Sequence, residues 1–140
     1  MTDGMEFLFK ATIEGLSEAS VKLGSALEAS GCPENIRKKL MIAIDEIGSN
    51  IVHYSGSDEF AVEIDFPENP EAIRISFSDA GKAFNPLVEA PAADISAGVA
   101  ERRIGGLGMF MVKKMMDNIS YVNENGRNVL TISKLRDAEK

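Results

Sequence analysis

Glu46 and Asn50 stand four residues apart in the run Ala43-Ile44-Asp45-Glu46-Ile47-Gly48-Ser49-Asn50, with His53 three residues further on. On a helix, steps of four and three residues return to the same side, so the three polar groups share a stripe. A carboxylate so placed can take a proton from an attacking hydroxyl. An amide oxygen one turn away can enter the octahedral shell of Mg²⁺, with phosphates and water completing it. His53, the single histidine, can stand near phosphates, or it can cap and pack a helix end. Taken alone, the stripe reads first as an ordinary solvated helix face, since helical surfaces carry Glu and Asn often.

Two further groups follow in order. In Asp79-Ala80-Gly81, the carboxylate can accept a hydrogen bond from the exocyclic amino group of adenine, and the glycine lets the backbone approach a base. Asp and Gly also favour turns. Phe84-Asn85-Pro86 comes next, placed to close over a base or to plug the core. Gly105-Gly106-Leu107-Gly108 then precedes an apolar-periodic run with Met109, Phe110, Val112 and Met116. A helix start presents free amide groups and a positive dipole end, which suits phosphate. Arg102 and Arg103 lie just upstream, within reach of phosphate oxygens, although a loop before a Met-rich core helix fits the same residues. Lys113-Lys114 reads as a solvated face. In this order the three groups describe a nucleotide site.

The elements that must position them are partly legible. Met5 to Thr12 reads as a strand whose alternation fails at Leu8, which suggests cover on both faces. Ser17 can cap a helix running to about Ser30 with Ala19, Leu23, Ala26 and Leu27 on one side, and Gly31 is a natural stop. A second helix is expected over about Pro33 to Tyr54, with Ile36, Leu40, Ala43, Ile44, Ile47 and Ile51 as its apolar stripe. The polar trio falls beside that stripe rather than within it. Strands are expected over Glu59 to Phe66 and Ile73 to Asp79, then a helix over Gly108 to Asn118. A hairpin closes the chain, Ile119 to Asn123 and Val129 to Ser133, around Glu124-Asn125-Gly126. Ala80 to Ile104 shows no period, as a functional lid or mobile segment would.

The 140 residues suit one domain spanning 1–140, and 44% apolar with 26% charged residues is a globular composition. A net charge of −7 argues against a general nucleic-acid binder but leaves room for a local phosphate site. No apolar run is long enough for a membrane span, the N-terminus is unlike a signal peptide, and a lone Cys32 fits a reducing cytoplasm. P-loop and dinucleotide fingerprints are absent, as are a Cys/His zinc cluster and a Ser/His/Asp pattern.

Ala43 to Tyr54 resembles the N box of the GHKL (Bergerat-fold) ATPases. Asp79-Ala80-Gly81-Lys82-Ala83-Phe84-Asn85-Pro86 resembles their first glycine box, and Arg103 to Val112 their second. The His53-Tyr54 ending, the Phe-x-Pro after Asp-x-Gly and the short lid resemble the anti-sigma branch, the serine-protein kinases of the RsbW/SpoIIAB type. The resemblance spans about Met5 to Leu135. It implies an α+β two-layer sandwich, a mixed but mostly antiparallel sheet with helices on one face. It implies ATP and Mg²⁺, with Glu46 as general base, Asn50 as metal ligand and Asp79 as adenine reader. Gly81 would support the base, and Gly106 and Gly108 the phosphates. His53, Phe84, Arg103, Gly105 and Leu107 complete the expected nucleotide site. Residues 85–104 would form the ATP lid and 136–140 a frayed tail. Asn85 departs from the Asp common in relatives, and no Gly-Thr third box stands near the last strand, since Gly126 and Thr131 are separated.

The implied function is a serine-protein kinase and anti-sigma factor. It would hold a sigma factor from RNA polymerase, phosphorylate a STAS-type anti-anti-sigma protein, and form a homodimer through the first strand and helix. A non-catalytic ATP/ADP-responsive binding module is the alternative. The catalytic domain of a two-component histidine kinase fits less well, because His53 lies inside the N box and no phosphoacceptor helix pair is present.

Overall fold

The computed structural model describes residues 4–68, 71–87 and 107–136. Five strands form one sheet: β1 (Met5–Lys10), β2 (Glu59–Asp65), β3 (Ala72–Asp79), β4 (Asn118–Glu124) and β5 (Arg127–Leu135), in the order β1-β2-β3-β5-β4. Among the described residues three α-helices accompany it: α1 (Ile13–Ala29), α2 (Glu34–Asn50) and α3 (Leu107–Met115). The α+β architecture is the expected one, but every pairing within this sheet is antiparallel rather than mixed.

Alternation sets the layers. Phe60, Val62 and Ile64 of β2, Ile75 and Phe77 of β3, and Leu130 and Ile132 of β5 point to one face. There they join Leu23 and Leu27 of α1, Leu40, Ile44 and Ile47 of α2, and Met109 and Val112 of α3 in one core. Each fully buried Leu or Ile contributes about 1.5–3 kcal/mol relative to exposure. The expected α2 stripe from Ile36 to Ile51 is buried throughout.

Four local features differ from the sequence expectation. The first helix begins at Ile13, because Thr12 is its cap: the Gly15 N–H donates to Thr12 Oγ1 at 3.0 Å. The turn out of β1 is so tight that a Cβ on Gly15 would stand 1.8 Å from the Lys10 carbonyl oxygen. The second helix is α-helical only to Asn50; Ile51–Ser55 forms a wider π turn, ended by Gly56 at φ 75°. Leu8 is not covered on its face, since it is 64% exposed on an edge strand. Arg136, expected to begin a frayed tail, pairs with Glu71 at 3.5 Å and donates to the carbonyls of Ser30 and Gly31. Residues 137–140 lie outside the described residues.

Candidate functional site

The end of α2, the end of β3 and the start of β5 converge on a narrow, mostly apolar pocket. Ile47, Asn50, Phe77, Asp79, Phe84 and Asn128 are among its walls. Asp79 is the last residue of β3 and falls on the core-facing phase of that strand, so it is buried. Its Oδ1 accepts from the Gly81 N–H at 2.8 Å and from Asn128 Nδ2 at 3.0 Å. Among the described residues its other oxygen has no hydrogen-bond donor, leaving an acceptor for a ligand amino group.

Asn50 is only 4% exposed, so it is part of the buried set rather than beside it as its spacing suggested. The cause is tertiary: the β3–β5 end of the sheet covers the last turn of α2. Its Nδ2 has no partner among the described residues, a costly state for a buried amide. An orphaned polar group on the wall of a pocket fits a polar ligand there. The donor end suits a phosphate oxygen, and the carbonyl end suits a hard cation.

Glu46 lies one turn back on α2, half-buried, directly against the start of α3. A Cβ on Gly108 would stand 1.9 Å from its carboxyl carbon and 2.0 and 2.4 Å from its oxygens. Glycine at 108 therefore leaves room for the carboxylate at a helix start. Burial pushes the Glu46 carboxyl pKa up, and the neighbouring Asp45 carboxylate adds to the rise. Asp45 itself accepts from Ser20 Oγ at 2.7 Å, which ties this turn of α2 to α1.

Other expected site residues are placed differently. His53 lies within the π turn, exposed and outside the pocket wall. Its Nδ1 lies 2.8 Å from the Ser49 carbonyl oxygen, which can only accept, so Nδ1 carries the proton. Gly81 presses its bare Cα on the end of the π turn, where a Cβ would meet the Ser55 carbonyl oxygen at 2.1 Å. Glycine there serves that close approach rather than the pocket itself. Phe84 and Pro86 do reach the pocket, and the Phe84 ring stacks on Tyr54 with centroids 5.1 Å apart. Leu107 opens α3. Arg103, Gly105, Gly106 and most of the expected lid, beyond residue 87, lie outside the described residues.

Sequence reasoning missed Asn128 and Tyr121. Asn128 is buried, and Tyr121 lines the same pocket. A signal was present: Asn128, Leu130 and Ile132 share one strand phase, so a polar residue occupies a core position.

Among the described residues no helix is long and apolar enough to cross a membrane. The chain is similar to the serine-protein kinase RsbW of Listeria monocytogenes, at 22% identity over 99% of this chain and 92% of that protein. It is similar to the Staphylococcus epidermidis protein of the same name at 25% identity, over 99% and 89% respectively. Among solved structures, the RsbU and RsbW domains of a Mycobacterium tuberculosis protein superpose with a TM-score of 0.67 at 15% identity. That match covers 95% of this chain and 32% of the mycobacterial one. The SiaB–SiaC complex from Pseudomonas aeruginosa gives a TM-score of 0.59 at 15% identity, over 94% of this chain and 89% of that one. Residues 9–134 match the family described as Histidine kinase-like ATPase domain, and with nearly the whole chain inside that match the protein belongs to this family.

Proposed function

We propose that the protein is an ATP-dependent serine-protein kinase and anti-sigma factor. The observation that carries this reading is the contact between Glu46 and Gly108, which sets a carboxylate at a helix start beside the pocket that holds Asn50 and Asp79. The similarity to proteins named serine-protein kinase over the whole chain supports the same reaction.

In this reading the free oxygen of Asp79 accepts from the adenine amino group, and the phosphates run toward the start of α3. The Asn50 amide meets the phosphate end, with its carbonyl oxygen as a ligand for Mg²⁺. The metal, when bound, neutralises phosphate charge and orients the chain for transfer. Glu46 takes the proton of a serine hydroxyl on the partner protein. The serine oxygen bonds to the γ-phosphorus, the bond to the β-phosphate oxygen breaks, and ADP leaves. Burial suits Glu46 to this role, because a raised pKa makes a carboxylate a better base once ionised. Arg103, Gly105, Gly106 and Leu107 would complete the phosphate cradle, and Phe84 the base wall.

The partners of this reading are a sigma factor and a STAS-type anti-anti-sigma protein in the cytoplasm, with transcription as the regulated process. A homodimer through β1 and α1 is part of it. β1 is a sheet edge, and Leu8, Ile13 and Val21 are 64%, 66% and 69% exposed. The test is incubation with γ-labelled ATP, Mg²⁺ and a purified STAS-domain protein, followed by phosphosite mapping. Label on a partner serine is the expected result. Tight nucleotide binding without transfer would leave the binding-module reading instead.

A further inference from the structure

Asn128 makes five hydrogen bonds through one buried amide. Its Oδ1 accepts from the Phe84 N–H at 3.1 Å, from Asn123 Nδ2 at 3.2 Å and from the Tyr121 hydroxyl. Its Nδ2 donates to Asp79 Oδ1 at 3.0 Å and to the Lys82 carbonyl at 2.9 Å. The orientation of the amide is fixed by its neighbours. The Phe84 N–H can only donate and the Lys82 carbonyl can only accept, so the two ends cannot be exchanged.

The consequence reaches the base pocket. With Gly81, Asn128 saturates Oδ1 of Asp79 with N–H donors. The carboxylate cannot turn without breaking those bonds, so Oδ2 stays the free acceptor. A free acceptor attracts a purine with a 6-amino group and repels one with a 6-oxo group. The same amide holds Lys82 and Phe84, the first turn of the segment that leads from the pocket toward residue 88. Thus one side chain on β5 sets both the polar reader of the base and the aromatic that stands over it.

We propose that Asn128 is a positioning residue that determines which purine the pocket takes, by holding Asp79 with one oxygen free and fixing Phe84 beside it. The proposal rests on the reading of this pocket as an ATP site. The test is equilibrium binding of ATP and of inosine triphosphate, each with Mg²⁺, to the full chain and its variants. Inosine triphosphate differs from ATP at the 6-position, where an oxo group replaces the amino group. Asn128→Asp keeps the shape and the accepting end but removes the donor to Asp79. The wild-type protein is expected to prefer ATP, and Asn128→Asp to lower that preference at least tenfold. Tyr121→Phe keeps the ring and removes one donor to Oδ1, with a two- to threefold drop expected.

Folding of each variant is checked by circular dichroism. If folded Asn128→Asp weakens both nucleotides equally, Asn128 is only structural and the proposal is overturned. If that variant does not fold, an unchanged preference in Tyr121→Phe overturns it. A wild-type protein that binds neither nucleotide overturns the ATP reading itself, and the proposal with it.

Discussion

The Glu46 carboxylate is pulled one way by its surroundings and the other way by its proposed role. Burial and Asp45 disfavour its ionised form, yet a general base must be ionised. Glu46→Gln is therefore expected to abolish phosphotransfer while leaving ATP binding largely intact, measured by labelled transfer and by titration of the nucleotide. Undiminished transfer would sink the base role. The acid limb of wild-type transfer should lie above the ordinary carboxylate range. Stability carries the opposite sign. The folded protein holds this proton to higher pH than the unfolded chain, so the contribution is full below the unfolded pKa and is lost as pH rises through the raised folded one. Urea midpoints should show Glu46→Gln gaining on the wild type over that window. Gly108 tests the same geometry from the other side. A Cβ at 108 overlaps the carboxyl group, and the end of a flexible side chain will move away. Displacement by about 1 Å is enough to cost about 10²-fold in rate. Gly108→Ala should lose transfer on that scale with no loss of thermal stability, because alanine is favoured over glycine in a helix by up to about 1 kcal/mol.

The entry to α1 decides how β1 meets the helical layer. Thr12, not Ser17, satisfies the first turn, and Gly15 lets that turn fold against Lys10. Thr12→Ala should cost about 1 kcal/mol in urea unfolding, the usual value of a lost cap. Ser17→Ala, an exposed change inside the helix, should leave the midpoint within error. Both residues are good caps by type, and only the path of the chain out of β1 selects between them. The β4–β5 turn is the contrasting case, read correctly from Glu124-Asn125-Gly126 between two strand patterns. Asn125 and Gly126 take φ 54° and 77°, the left-handed pair that a two-residue hairpin demands.

Across the whole molecule, the pocket is a joint between layers. Its walls come from α2, β3, β4, β5 and the segment after β3, so a bound nucleotide would contact elements far apart in sequence. A ligand that binds only the folded state stabilises it by about 2.7 kcal/mol at 100 times its Kd. ATP with Mg²⁺ should therefore raise the urea midpoint in a concentration-dependent way, and Asp79→Asn should blunt that rise. A midpoint indifferent to ATP would count against the nucleotide site as a whole.

What the sequence by itself determined was local and periodic. The α2 stripe, the alternating strands, the closing hairpin and the order of the three polar groups are each encoded within a few neighbouring residues, and each is present where the chain is described. The α+β class followed from that order of elements. Tertiary structure alone decided which polar groups meet. It buried Asn50 by laying the sheet end over α2, and set Glu46 under Gly108 by packing α3 on α2. It also joined Asn128 to Asp79, 49 positions apart, through the register of β3 with β5. His53, within the π turn after Asn50, is exposed to solvent despite its favourable spacing. The physical reason is common to the first three. Periodicity fixes the direction of a side chain relative to its own element, while a site depends on how elements separated by many residues are registered and packed.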